Sequence, residues 1–199
     1  MITSSTEGTL KPGGRREGAL GFGDLAADLE RTQREKWDDL RERLLEGEAV
    51  RDEVWKLFDV AIDRQLAKAR SLDEGLRSFV ALYRQDAGKT VDEPAGDEPS
   101  VREFLRNDVR DAYRRRLSSA EPGASLRFEQ RVLLTVLNQQ WSRHIARLER
   151  AFSAAEGSGG PWEHVSAKYR AASDSSEHQM LTMTADHTLG YLFHAPIVT

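Results

Sequence analysis

The fold of this chain is decided by residues 126–152, which read LRFEQRVLLTVLNQQWSRHIARLERAF. Large side chains recur here every three or four residues, the spacing that places them on one face of an α-helix. The residues on that face are Leu133, Leu137, Trp141, His144, Leu148 and Phe152. Polar residues, among them Thr135, Gln139 and Arg143, lie on the opposite face. The stretch predicts an amphipathic helix of about seven turns with one buried face.

A second helix follows a turn. Residues 156–160 read EGSGG, and Pro161 suits the first position of a new helix. Trp162 and Val165 begin a new apolar stripe, which the polar residues 173–176 interrupt. We therefore interpret residues 125–199 as an antiparallel helical hairpin with a C-terminal tail. Its expected core anchors are Leu133, Leu137, Trp141, His144 and Leu148.

Residues 21–70 carry two apolar stripes separated by Gly47. The first stripe includes Leu25 and Leu44, and the second runs from Val50 to Leu66. A glycine inside a helix costs about 1 kcal/mol relative to alanine, unless it marks a break. We predict a long scaffold helix over residues 21–70, with a weak point at Gly47.

Shorter helices are predicted over residues 71–124. Ser71 with Glu74, and Ser100 with Glu103, match the capping box that begins a helix. A segment rich in proline, glycine and acidic residues, 88–99, separates the two helices as a loop. This region predicts a small helical part, and the polar, glycine-rich residues 1–20 predict a mobile N-terminal arm.

The composition favours helices. Charged residues make up 31% of the chain and aromatic residues 8%, a mixture typical of long helices with solvated faces. The net charge of −4 gives no overall attraction for nucleic acid. The chain has no cysteine, which excludes disulfides, thiol catalysis and cysteine-based zinc sites. With no signal peptide and no membrane-spanning apolar run, we expect a cytoplasmic protein without a transmembrane segment.

The sequence predicts no catalytic, cofactor-binding or metal-binding residue. The residues Gly88-Lys89-Thr90 resemble the end of a phosphate-binding loop, but Tyr83 occupies the position of its first glycine. No two of the five histidines lie one helical turn apart, as a helical zinc site requires. A basic row is formed by Arg102, Arg106, Arg110, Arg114, Arg115 and Arg116. Because acidic residues are interleaved with it, we interpret the row as a solvated helix face rather than a site for phosphates or an acidic protein.

Four short motifs, in their order, resemble the C-terminal helical region of the bacterial preprotein-translocase motor SecA. The first is Gln33-Arg34, followed by an arginine-rich helix. The second is LEGE at residues 45–48 with VRDEV at residues 50–54. The third is Phe128-Glu129 with Val132, and the fourth is Trp141 with His144. The resemblance covers about residues 20–195.

The resemblance implies a role for each region. In that family the long helix is the scaffold that carries the motor domains, the middle helices belong to a wing domain, and the hairpin is a two-helix finger that contacts the translocating polypeptide near the channel. The candidate contacts at the hairpin tip are Glu156, Gly157, Ser158, Gly159 and Gly160. Against the family pattern, we expect the nucleotide-binding and preprotein-crosslinking domains and the cysteine-rich zinc tail to be missing. The tip also lacks the family's Leu, Arg and Tyr residues.

These observations lead to a functional expectation and two alternatives. We expect a non-catalytic scaffold that binds a protein partner, such as a Sec-type motor, a channel or another assembly subunit. Peripheral membrane association would come through that partner. The first alternative is a structural or adaptor protein that kept the fold without a role in translocation, and the second is an autonomous enzyme.

Overall fold

The computed structural model describes residues 21–84, 97–118, 120, 121 and 123–197 of the chain. Six helices run through these residues: α1 Phe22–Leu45, α2 Val50–Lys68, α3 Leu72–Val80, α4 Glu98–Leu117, α5 Ala124–Gly157 and α6 Trp162–His194. No strand occurs in them, and the all-α prediction is confirmed. The predicted N-terminal arm, most of the predicted 88–99 loop and Gly88-Lys89-Thr90 lie outside the described residues.

The predicted long scaffold helix is divided into α1 and α2 by a break at Gly47. Gly47 has a φ of +81° and Ala49 a φ of +54°, so both residues leave the helical conformation. Glycine adopts such angles without a steric penalty. The amide of Gln130 in α5 donates hydrogen bonds to the carbonyl oxygens of Leu44 and Leu45, at 2.7 and 2.8 Å. A side chain from the hairpin therefore binds the end of α1, where the Leu44 carbonyl oxygen also accepts from the backbone N–H of Gly47 at 3.2 Å.

One of the two predicted helix starts in the middle region is correct. Ser71 Oγ accepts a hydrogen bond from the backbone N–H of Glu74 at 3.2 Å, so Ser71 caps α3. The capping box at Ser100 and Glu103 is wrong, because α4 already begins at Glu98. Asp97 caps that helix by accepting from the backbone N–H of Ser100 at 3.1 Å. Proline in the first turn of α4 is tolerated, because that turn needs no backbone donor.

Helix α2 lies at the centre of the main hydrophobic core and contacts α3, α4, α5 and α6. Phe58 of α2, Tyr113 of α4 and Phe193 of α6 form one aromatic group, with ring centroids 5.5–5.9 Å apart. Buried residues from every helix join this core. The base of the hairpin and the middle helices are therefore stabilised by the same packing.

The hairpin continues beyond this core and is supported by α1 along its length. The two helices are antiparallel, since Gln140 meets His187 while Phe152 meets Tyr169. Near the tip, Phe22 of α1 stacks on Phe152 with centroids 4.8 Å apart and meets Tyr169 edge-on at 5.5 Å. A second small core forms there, so α1 contacts the hairpin from its base to its outer end.

The first three arginines of the basic row on α4 face α2 rather than solvent, which corrects the sequence interpretation for that part of the row. Arg102 pairs with Asp63 of α2, and Arg106 Nε lies 2.8 Å from Asp59 Oδ1. Arg110 reaches the same Asp59 at 3.6 Å and stacks over Trp55. These three arginines are half-buried and join α4 to α2, whereas Arg114 and Arg115 are exposed. Sequence spacing shows the acidic residues within α4 but not those that α2 supplies.

No helix in the described part of the chain combines the length and the apolar character needed to cross a membrane.

Candidate functional site: the joint between the scaffold helices and the hairpin

The residues that carry the family resemblance meet one another across a single interface. The motif around Arg51 in α2 pairs with Glu129 in α5, and the motif around Gln33 in α1 pairs with His144 in α5. We call these two polar clusters, together with the residues that connect them, the scaffold–hairpin joint. The joint fixes where the hairpin attaches and in which direction it extends.

The first cluster holds a carboxylate in the interior. Glu129 is fully buried, and Arg51 approaches it with Nε 2.7 Å from Oε1 and Nη2 3.0 Å from Oε2. The guanidinium also lies over the rings of Trp55 and Tyr113, at 5.6 and 5.7 Å from their centroids. Burial raises the pKa of Glu129, and the charge of Arg51 acts in the opposite direction. Such a pair is sensitive to the loss of either partner, because the other charge then stays uncompensated.

The second cluster is a chain of hydrogen bonds centred on His144, which is fully buried. Its Nδ1 lies 2.8 Å from Ser176 Oγ, and its Nε2 lies 2.9 Å from Gln33 Oε1. Arg147 Nε donates to Ser176 Oγ at 3.0 Å, and the Gln33 amide donates to Ser173 Oγ at 3.0 Å and to Glu177 Oε2 at 3.3 Å.

The partners around His144 determine which atom donates in each hydrogen bond of the cluster. The Gln33 amide nitrogen donates to Ser173 and to the carboxylate of Glu177, so Gln33 Oε1 is left to accept from the His144 Nε2–H. In the neutral ring Nδ1 then accepts from the Ser176 hydroxyl. Both ring nitrogens are then satisfied in the neutral imidazole. Burial lowers the pKa of His144, and the charge of Arg147 lowers it further, whereas the backbone of Ser176 and the nearby Glu177 act to raise it. The cluster therefore favours an uncharged histidine.

The serines of this cluster were not predicted from the sequence. Residues 173–176 interrupt the apolar stripe of α6, yet α6 is continuous, and Ser173 and Ser176 are buried. Both serines lie on the face that carries Tyr169, at the three-residue spacing of one helical turn. The two serines have the spacing of buried residues in α6, and His144 has it in α5. This shared spacing is the sequence signal of a buried polar contact between the two helices.

The five predicted core anchors lie along the joint. Leu133, Leu137, His144 and Leu148 are buried, whereas Trp141 is half-buried. Trp141 stacks on Trp37 of α1 with centroids 5.4 Å apart and planes inclined by 7°, and the Arg34 guanidinium lies 5.8 Å from its centroid. Trp141 therefore holds α5 against α1 at the edge of the core.

The five candidate contact residues lie together at the exposed tip of the hairpin. Gly159 and Gly160 have φ values of +61° and +113°, which explains why glycine occupies both positions. Ser158 Oγ donates to the carbonyl oxygen of Ala155 at 2.8 Å and ends α5 locally. The tip exposes backbone and mostly small side chains. Within the residues that the structure describes, no three histidine or acidic side chains form a group that could hold a metal ion.

The described helices and the joint define a helical scaffold domain with an attached hairpin. The family model for the SecA wing and scaffold domain matches residues 26–195, and the chain belongs to this family. It is 25% identical over 173 residues to the protein translocase subunit SecA of Streptomyces griseus, covering 79% of this chain and 18% of the relative. It is 27% identical over 125 residues to the protein translocase subunit SecA 1 of Streptomyces avermitilis, covering 55% of this chain and 13% of the relative. The chain thus spans less than a fifth of the length of these relatives.

Proposed function

We propose that this chain is a non-catalytic SecA-like helical scaffold that binds protein partners in Sec-type protein export. In this role it completes or regulates a separately encoded motor. The observation that supports the proposal is the joint itself. The motif residues pair with one another inside the chain, so the hairpin is attached to the scaffold helices by contacts that need no motor domain.

The hairpin tip is the proposed contact with the partner or with a translocating polypeptide. Glu156 and Ser158 are exposed there, and the α1 packing around Phe22 holds the end of the hairpin in place. A rigidly held tip loses little conformational entropy on binding. We propose a cytoplasmic location, and membrane association only through the bound partner.

Site-specific photo-crosslinking in the native cell tests the proposal. A benzophenone amino acid replaces Ser158 at the tip, and the same replacement of Ser78, an exposed serine on α3, is the matched control. Adducts of Ser158 should contain a Sec-type motor, a channel subunit or an exported polypeptide, and Ser78 should not yield them. If Ser158 crosslinks to none of these proteins, the proposed tip function is wrong.

ATP binding is the measurement that tests the non-catalytic part of the proposal. The family match covers the wing and scaffold domain, which is not the part of a motor that hydrolyses ATP. Isothermal titration with ATP and magnesium should show no heat of binding, and micromolar affinity would contradict this part.

A structural adaptor in another assembly is the second candidate. The composition of the hairpin tip favours the adaptor, because residues 154–160 contain no aromatic or large apolar side chain that could bind a polypeptide. Crosslinking of Ser158 to subunits of an assembly without export proteins would support the adaptor instead.

A further inference from the structure

One stripe of α5 begins in the core and ends in arginines. Four buried residues follow one another at spacings of three and four: Glu129, Val132, Val136 and Gln140. The same spacing continues outward with Arg143, Arg147 and Arg150. Helix α2 covers the base of the hairpin, where Arg64 pairs with Asp186, and it ends at Lys68. We call Arg143, Arg147 and Arg150 the arginine stripe.

The charges of the arginine stripe are uncompensated. In the part of the chain that the structure describes, no carboxylate lies within ion-pair distance of any of the three guanidinium groups. Arg147 donates to Ser176, Arg150 donates to the carbonyl oxygen of Ala146, and Arg147 Nη2 is buried without a partner. Burial lowers the pKa of Arg147, and the charges of Arg150 and Arg143 lower it further. The basic row on α4 differs, because α2 supplies Asp59 and Asp63 to it.

The spacing of the stripe matches a helical partner. Steps of four and three residues correspond to about 6 and 4.5 Å along a helix, so carboxylates at the same spacing on a facing helix can meet all three arginines. A seam with this alternating spacing is the one that two packed helices use. We propose that Arg143, Arg147 and Arg150 form a docking face for an acidic amphipathic helix of a partner protein. This inference rests on the proposed protein-binding function.

An acidic helix suits the stripe better than an anionic membrane surface. Membrane-surface helices place exposed apolar residues beside their basic ones. Leu126 is the large apolar residue of α5 that is most exposed, and it lies 17 residues before Arg143. The stripe thus has charge without an adjacent apolar anchor on its own helix.

Fluorescence anisotropy with a synthetic peptide tests the docking face. The probe is a fluorescein-labelled peptide of Glu, Ala and Leu, about 20 residues long so that it forms a helix. The stripe variant is Arg143→Glu/Arg150→Glu, which keeps Arg147 because it donates to Ser176. The matched control is Arg127→Glu/Arg131→Glu, which reverses two exposed charges on another face of α5. The stripe variant should lose at least about tenfold in affinity for the acidic peptide, while the control should change by less than about twofold.

A charge-swapped probe makes the test specific. A peptide with lysine in place of glutamate should bind the stripe variant more tightly than the original protein. Circular dichroism and thermal melting establish that both variants fold. Equal peptide binding by the stripe variant and the control would overturn the inference, as would absence of peptide binding by the unaltered protein. Loss of binding to phosphatidylglycerol vesicles, with peptide binding unchanged, would also overturn it.

Crosslinking separates this inference from the proposed function. If the stripe variant binds the acidic peptide as tightly as the control does, but Ser158 still crosslinks to export proteins, the docking face is wrong and the proposed function stands. If Ser158 in the otherwise unaltered protein captures no export protein, the proposed function fails irrespective of the peptide result.

Discussion

Removing the charge of Glu129 should destabilise the protein strongly although the shape of the side chain is kept. The change Glu129→Gln leaves Arg51 without its counter-ion between Trp55 and Tyr113. Loss of one partner from a buried ion pair costs about 3–5 kcal/mol. The Arg51 side chain is 39% exposed and keeps part of its hydration, so we expect a loss of about 2–3 kcal/mol in the free energy of unfolding.

A double-mutant cycle shows whether the loss in the free energy of unfolding comes from the ion pair between Arg51 and Glu129 or from changed packing. Arg51→Met leaves a buried carboxylate and should cost at least as much as Glu129→Gln, whereas Arg51→Met with Glu129→Leu should come within about 1 kcal/mol of the original protein.

Urea denaturation followed by circular dichroism measures each variant. The control is Glu30→Gln, which breaks the surface pair with Arg34 at 2.7 Å and should cost less than about 1 kcal/mol. If Glu129→Gln costs no more than this control, Glu129 does not hold the hairpin on α2, and the reasoning about the joint is refuted.

Four further predictions concern the joint, the helix break and the tip. Because the pKa of His144 is lowered in the folded state, the unfolded chain takes up its proton first as the pH falls below about 6.5. The free energy of unfolding should therefore fall as the pH is lowered from that value to the pKa of His144 in the folded protein, and then level off. Urea titrations at several pH values should show a weaker pH dependence for His144→Gln. An unchanged pH dependence of the free energy of unfolding in that variant would contradict the prediction. Gly47→Ala should destabilise by about 1 kcal/mol, because alanine is strained at positive φ; a stabilised variant in the same titration would indicate a continuous helix. Trp141→Ala should cost about 2–3 kcal/mol, less than the 3–5 kcal/mol of a fully buried tryptophan, and a cost below about 1 kcal/mol would mean that the stacking on Trp37 contributes little. Inserting about four Gly/Ser residues after Ser158 should lower stability by less than about 1 kcal/mol, and a large fall in melting temperature would show that the tip is not a simple loop.

Much of the helical architecture was predictable because helices carry local signals. The apolar spacing of residues 126–152 predicts α5, and Pro161 after a glycine-rich turn predicts the start of α6. The Ser71 cap is likewise a contact between neighbours in the chain. Errors occurred where a local signal competed with a stronger one nearby, as when Asp97 capped α4 ahead of Ser100.

The candidate site was predictable in part. His144 and Trp141 were identified as residues of the buried face from their spacing, but the serines opposite them were interpreted as an interruption. Spacing shows that a side chain points inward, and it does not show which polar group meets it there. The arginines of α4 illustrate the same limit, because their partners Asp59 and Asp63 belong to α2.

The sequence by itself therefore determined the helical class and the hairpin, since these follow from spacings within a few helical turns, and the family, since this follows from the order of four short motifs. Tertiary structure decided that the predicted weak point at Gly47 is a complete break, beside which Gln130 donates to the carbonyl oxygens of Leu44 and Leu45, and that Gln33 meets His144 across 111 residues of chain. The physical reason is that a buried polar group must find a partner, but packing of whole helices determines which partner comes within hydrogen-bonding distance. Packing also leaves Arg143 and Arg150 exposed on the hairpin beyond the end of α2 at Lys68.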